Sequence, residues 1–208
     1  MNNLKDTKAQ HHFWSQRYAQ HKTGWDIGYP STPIKTYFDQ VNNKELKILI
    51  PGAGNAYEAE YLFQLGFRKV FVLDISTAPL QAFRKRVPNF PMNQLIHANF
   101  FKHTGQYDLI VEQTFFCSFP PTPENRSLYA KKMYELLKPK GKLVGLWFTM
   151  PLTGDMVKRP FGGNKDEYLN YLKPYFEPIT FEACYNSIPP RSGNELFGIF
   201  EKKRQVTN

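Results

Sequence analysis

Residues 47–58, KILIPGAGNAYE, carry a short apolar run into a glycine-rich turn, and Asp74 in FVLDIS follows Gly54 by 20 residues. Strand, glycine turn, helix, strand, acid is an order that suits a nucleotide-type cofactor. A backbone that must approach a ligand closely, or take positive φ, has no room for a Cβ at Gly52 and Gly54. Asp74, ending the second strand, can accept hydrogen bonds from ribose hydroxyls. Tyr57 stands where a full GxGxxG has its third glycine, so an ordinary strand-to-helix turn fits the same residues. Candidates for a general base are Asp26, His103 and Glu112, and no two of them are spaced as a recognisable pair. Cys117 reads as a small buried residue rather than a nucleophile.

The elements that must position these groups follow from periodicity. Residues 10–22 are expected to be helical, with Trp14 and Tyr18 on one face and Phe13 and Arg17 on the next. TGWDIGYPSTP follows as a loop; Ser31 or Thr32 caps the next helix, Pro33 occupies its first turn, and Ile34, Tyr37, Phe38 and Val41 form its apolar stripe. Strands are expected at 47–51, 69–74 and 94–98, alternating with helices at 55–66 and 77–87. This is the βαβ rhythm of a parallel sheet with helices on both faces. The second half continues with a strand at 107–113, a Pro-rich connection at 120–123 and a helix at 124–138. A break at Lys140-Gly141 leads into a strand, a variable loop spans 151–164, and a helix at 165–175 follows. The last two strand candidates, 179–185 and 196–202, have no helix between them and predict an antiparallel hairpin at one sheet edge.

Composition limits the function classes. A chain of 208 residues is expected to form one domain with a sizeable core. Cys117 and Cys184 lie far apart without metal-ligand spacing, so neither a disulfide framework nor a metal site is expected, and a reducing, cytoplasmic compartment fits. The opening residues show no signal-peptide pattern and no run reaches membrane-spanning length. Net charge is +9, from 27 Lys and Arg against 18 Asp and Glu, which favours anionic partners. The clusters at Arg84-Lys85-Arg86, Lys131-Lys132 and Lys202-Lys203-Arg204 are not interleaved with aromatics as a stacking surface would be, so nucleic acid is not the expected partner.

Taken together, the segments FWSQRY, TGWDIGYPSTP, LIPGAGNAYEAEYL, VLDIS, ANFF, YDLIVEQTFFCSFPP, MYELLKPKGKLV and SIPPRSGNE give the chain its character. In their order and spacing over about residues 13–200 it resembles the thiopurine S-methyltransferase superfamily, most closely the halide and thiol methyltransferase branch. The resemblance implies a seven-stranded, Rossmann-like class I fold in one domain, 1–208, with an N-terminal helical lid at 1–43 and an α/β core at 44–203. It implies S-adenosyl-L-methionine as cofactor and a small-molecule acceptor, in a protein expected to be monomeric. Trp14, Tyr18 and Trp25 match cofactor-covering positions, Gly52 the glycine turn, Asp74 the ribose acid, Asn99 and Phe100 the loop bordering adenine, and Gln113 the methionine side. Many relatives carry an acid where Asn99 stands and an aromatic where Gln113 stands. Arg126 matches an acceptor-side position, and Lys158-Arg159-Pro160-Phe161 falls where relatives often carry a GGPPY-like loop.

The chemistry of these residues agrees with that implication. A sulfonium cofactor suits aromatic neighbours, and Trp14, Tyr18, Trp25, Phe100, Phe115 and Phe116 supply them, each ring near enough adding about 0.5 to 2 kcal/mol. Phe115 and Phe116 also fit plain core packing. Alignment of two reactants removes roughly 7 to 11 kcal/mol of barrier. Ionising a thiol of pKa about 8.5 at neutral pH costs only about 2 kcal/mol, and a halide needs no base. EQTFFCSFPP lacks the (D/N)PP(Y/F) arrangement associated with amino-group methylation. A thiol, thiopurine or halide acceptor is therefore expected, with Arg126 and Asp26 as the candidate catalytic residues. An O- or N-methyltransferase of a small metabolite, or a non-catalytic cofactor-binding protein, is the alternative.

Overall fold

A computed structural model describes residues 4–155 and 158–204. The chain resolves into two compact units, residues 1–103 and 104–208. In the first, helix α1 (Thr7–Ala19) starts where the Asp6 side chain accepts the Ala9 N–H at 3.0 Å. It begins three residues before the expected position because that cap takes up one of the free N–H groups of the first turn. It ends where His21 enters the left-handed region, φ 53°. Helix α2 (Thr32–Asp39) has Ser31 at its N-cap, and its apolar stripe buries Pro33, Ile34 and Phe38. Strands β1 (Ile48–Pro51), β2 (Val70–Asp74) and β3 (Leu95–His97) pair in parallel, with helix α3 (Tyr57–Gln64) between the first two and α4 (Thr77–Arg86) between the second and third. Every residue of β1 is buried, as a strand covered on both faces requires.

The second unit contains β4 (Tyr107–Gln113), α5 (Pro123–Leu136), β5 (Leu137–Phe148), α6 (Lys165–Leu172), β6 (Phe176–Ala183) and β7 (Glu195–Lys202). The Thr122 hydroxyl caps α5 by accepting the Asn125 N–H, and Pro123 fills the first helical position. The predicted helical end at Lys138 is too long. Lys138 precedes Pro139 and is driven toward extended backbone, so Leu137 already opens β5. The break expected at Lys140-Gly141 lies inside that strand, where Lys140 has φ 64° and the register with β4 slips between Tyr107 and Leu109. Helix α6 stops before Pro174, which has no N–H to continue the ladder, and β6 therefore starts three residues earlier than predicted.

Strand order is β3-β2-β1-β4-β5-β7-β6 in a seven-stranded sheet. β7 runs antiparallel to β5 and β6, giving the reversed hairpin predicted at one edge. A row across the second unit has a simple steric logic: Glu112 of β4 pairs with Gly145 of β5, which pairs with Gly198 of β7, which pairs with Phe181 of β6. A Cβ on Gly145 would lie 2.3 Å from the backbone oxygen of Glu112, and one on Gly198 would lie 2.6 Å from the Phe200 ring. The two glycines leave room for the flanking large side chains. Trp147, Phe181 and Phe200 lie against Gly198 and are buried, each contributing on the order of 1.5–3 kcal/mol by burial.

Candidate active site

In the first unit the glycine turn is built from alternating left-handed residues. Gly52 has φ 58°, Gly54 φ 55° and Ala56 φ 54°. Such a conformation costs an L-residue roughly 1–2 kcal/mol, so Gly52 and Gly54 suit the first two positions while Ala56 is strained. The sequence offered no signal for Ala56, since alanine before a helix reads as ordinary helix former. Asp74, at the end of β2, accepts the Gly54 N–H at 2.9 Å through Oδ2 and the Ser76 N–H at 2.8 Å through Oδ1. Burial raises its carboxyl pKa, against the pull of the Ser76, Gly54 and Ile75 N–H groups. Each carboxylate oxygen retains lone-pair capacity beyond one backbone bond.

Trp14 and Tyr18 of α1 both meet Trp25 edge-on, with ring centroids 5.6 and 5.8 Å away. A Cβ on Gly54 would stand 3.2 Å from Tyr18 Oη and 3.7 Å from Trp25 Nε1. The aromatic cluster thus sits directly over the glycine turn. Burial pushes the Tyr18 phenol far upward, with Asp74 adding to the shift, so it stays protonated. Gly54→Ala is expected to lose about 1–2 kcal/mol of stability from its backbone conformation and to shrink the rise in thermal midpoint produced by S-adenosylhomocysteine. Thermal unfolding with and without that ligand measures both.

Asp26 accepts the Gly28 N–H at 2.9 Å and the Asn55 side-chain amide, which ties the 23–30 loop to the glycine turn. Asn99 caps a single 3₁₀ turn (Phe100–Lys102): its Oδ1 accepts the Phe101 N–H at 2.8 Å and its Nδ2 donates to the Leu4 carbonyl at 2.8 Å. One lone pair of its carbonyl remains. Phe100 is buried beside it, and His103 follows in the loop after that turn.

In the second unit Gln113 ends β4, and Thr114 turns the chain with φ 56° into a short 3₁₀ turn (Phe116–Ser118). Glu112 lies just beneath, fully buried, and its Oε1 accepts the Phe115 and Phe116 N–H groups at 2.8 and 2.9 Å. Tyr129 donates its hydroxyl to Oε2 at 2.5 Å. Desolvation lifts the Glu112 carboxyl to about 7 despite these donors. The Cys117 thiol donates to the Thr114 carbonyl at 3.2 Å, and burial drives its pKa far up, consistent with an inert buried thiol. Phe116 packs against Tyr129 and Tyr168, and the cation facing its ring is Arg126, 5.1 Å from the centroid.

Arg126 is 3% exposed. Its Nη1 meets Glu167 Oε1 at 2.6 Å and its Nη2 donates to the Gly162 carbonyl at 2.6 Å, while Nε has no protein acceptor among the described residues. Glu167 and Gly162 lie far along the chain, so sequence reading missed both. A Cβ on Gly162 would fall 1.9 Å from the Met150 carbonyl oxygen, which explains a glycine there. Arg159 donates Nε to the Ser118 carbonyl at 2.8 Å, and the Phe161 N–H donates to the Cys117 carbonyl at 2.8 Å. The segment carrying Arg159 and Phe161 is thereby fastened to the turn after β4. Met156 and Val157, within the predicted loop, lie outside the described residues.

A seven-stranded sheet with one reversed strand, an acid ending β2 and a glycine turn after β1 define a class I methyltransferase-type α/β protein. Solved structures with the same fold include the 1,6-didemethyltoxoflavin N1-methyltransferase of Burkholderia thailandensis, with TM-score 0.78 and 14% identity over 98% of this chain and 92% of that one. The magnesium protoporphyrin IX methyltransferase of Synechocystis, solved with S-adenosylmethionine, gives TM-score 0.71 and 14% identity over 97% and 99%. Among related sequences, probable thiol methyltransferase 2 of Arabidopsis thaliana is 30% identical, covering 91% of this chain and 84% of that protein. Thiocyanate methyltransferase 1 of the same plant is 29% identical over the same shares. The thiopurine S-methyltransferase family model matches residues 9–207, and the chain belongs to that family. It is an S-adenosyl-L-methionine-dependent methyltransferase acting on a small nucleophile. No helix among the described residues is long and apolar enough to cross a membrane.

Proposed function

We propose that the protein methylates a soft nucleophile, a thiol, thiopurine or halide, and that it does so without a general base. The supporting observation is the state of its carboxylates. Asp26 is engaged by Gly28 and Asn55, and Glu112 by Phe115, Phe116 and Tyr129. A thiol ionises at a cost of about 2 kcal/mol near neutral pH, so it needs none of them. The names of the plant relatives, a thiol and a thiocyanate methyltransferase, point the same way.

In this reading the fit of the cofactor rests on the turn. Gly52 and Gly54 let the backbone approach closely, Asp74 holds ribose hydroxyls, and Trp14, Tyr18 and Trp25 exclude water. Asn99 uses its remaining carbonyl lone pair and Phe100 its ring face at the adenine side, and Gln113 serves the methionine side. Asp26 acts by holding the loop that carries Trp25, rather than by taking a proton. Arg126 keeps one N–H for an anionic acceptor through Nε. S-adenosyl-L-methionine supplies the methyl group on a sulfonium that is already a good leaving group. Residues 1–208 work as one domain, 1–43 as the lid and 44–203 as the core, in a cytoplasmic monomer that binds no nucleic acid.

Incubation with methyl-labelled cofactor and a panel of hydrosulfide, thiophenols, thiopurines and iodide is expected to transfer label to at least one of them. The rate should follow the acceptor's own ionisation across pH. Transfer only to hydroxyl or amine acceptors would overturn the soft-nucleophile reading. Cofactor binding without any turnover would mark a binding protein.

A further inference from the structure

Glu112 is enclosed more completely than any other acid among the described residues of the second unit, and methyl transfer to a soft nucleophile makes no direct use of it. A buried carboxylate is costly unless its oxygens are matched by donors, and here the donors are informative. The left-handed Thr114 turns the chain away from β4, and the following N–H groups of Phe115 and Phe116 both point at Glu112 Oε1. Tyr129, from α5, closes the other oxygen. Gly145, directly across on β5, has no side chain to compete for the space.

The turn so held presents two carbonyls to the next loop. Cys117 accepts the Phe161 N–H and Ser118 accepts Arg159 Nε. β4 and β5 run parallel, so the segments leaving them emerge at one end, the carboxyl end at which open α/β sheets bind ligands. A continuous set of hydrogen bonds therefore runs from one carboxylate, through the 114–118 turn, to residues 159–161.

We propose that Glu112 is a positioning residue for methyl transfer, bracing the 114–118 turn and, through it, the 159–161 segment as a rigid wall for the acceptor. This rests on the reading that the turn borders the acceptor. Glu112 is not a base in this arrangement, because it is fully buried and its oxygens are taken by the Phe115 and Phe116 N–H groups and the Tyr129 hydroxyl.

The test compares Glu112→Ala, Glu112→Gln and Tyr129→Phe with the wild type. Amide hydrogen exchange, S-adenosylhomocysteine affinity by calorimetry, and kcat and KM for the best acceptor of the panel are measured. Glu112→Ala is expected to speed exchange at Phe115 and Phe116 by about 100-fold while Ile110 and Val111 stay protected. Acceptor KM should rise about tenfold, with cofactor-product affinity held within about threefold. Glu112→Gln should restore most of both, since its amide oxygen still accepts the two N–H groups. If Glu112→Ala does not fold, Tyr129→Phe, which removes one donor and keeps the ring, is expected to show the same pattern at smaller size. Unchanged protection at Phe115 and Phe116 in a folded variant, or a fall in cofactor affinity as large as the acceptor effect, would overturn the proposal. If the wild type binds S-adenosylhomocysteine but methylates no panel member, the acceptor reading fails, and the exchange data alone still decide whether Glu112 braces the turn.

Discussion

Asp74→Ala is expected to weaken S-adenosylhomocysteine binding by about 100-fold or more, whereas Arg126→Ala should leave that affinity within about threefold and impair acceptor kinetics instead. The asymmetry follows from what each side chain touches. Asp74 holds the Gly54 and Ser76 N–H groups, so its removal leaves two buried donors unmatched and frees the glycine turn beneath Tyr18 and Trp25. In the proposed role it also removes the acceptor for ribose hydroxyls, and hydrogen bonds to charged groups contribute about 1.5–3 kcal/mol each. Arg126 belongs to a different set, Glu167, Gly162 and the Phe116 ring. Calorimetric titration of both variants, with thermal unfolding to confirm that they are folded, provides the measurement. Equal losses of cofactor-product affinity would refute the division of labour.

The stability of the wild type should fall by about 3 kcal/mol more than that of Glu112→Gln as pH rises from 4.5 to 7. The Glu112 carboxyl is lifted by burial from 4.5 to about 7 in the folded protein. Within that window the folded state holds a proton that the unfolded state has released, so stability declines with rising pH. Below the window both states are protonated; above it both are ionised and the full desolvation penalty is present. Tyr129 and Cys117, the adjacent titratable groups, have pKa values raised by burial and stay protonated throughout. Asp74 and Glu195 are raised too, but they are common to both proteins and cancel in the difference. Urea unfolding at closely spaced pH values reads the two slopes. Parallel curves would show that Glu112 ionises normally in the fold.

The alternation of apolar runs, glycine turns and amphipathic segments was enough to place every strand and helix within a few residues, because those signals are local. The misplacements were local as well and had visible causes: the Asp6 cap of α1, Pro139 ending α5 early and Pro174 ending α6. Ala56 in a left-handed conformation carries no local signal, whereas the break read at Lys140-Gly141 proves to be an irregularity within β5 rather than the start of the strand.

By itself, then, the sequence determined the class of protein. Gly52 and Gly54 suit the left-handed backbone of the turn that Asp74 holds, and the ordered segments from FWSQRY to SIPPRSGNE identified the family. Tertiary structure decided which partners the ionisable groups meet. Asp26, Glu112 and Arg126 read simply as candidates for chemistry, and each is engaged by partners remote in sequence: Asn55 for the first, Tyr129 for the second, Gly162 and Glu167 for the third. Whether a carboxylate is a base or a brace depends on which donors surround it and how far water is excluded. Both are properties of packing, which no spacing along the chain encodes.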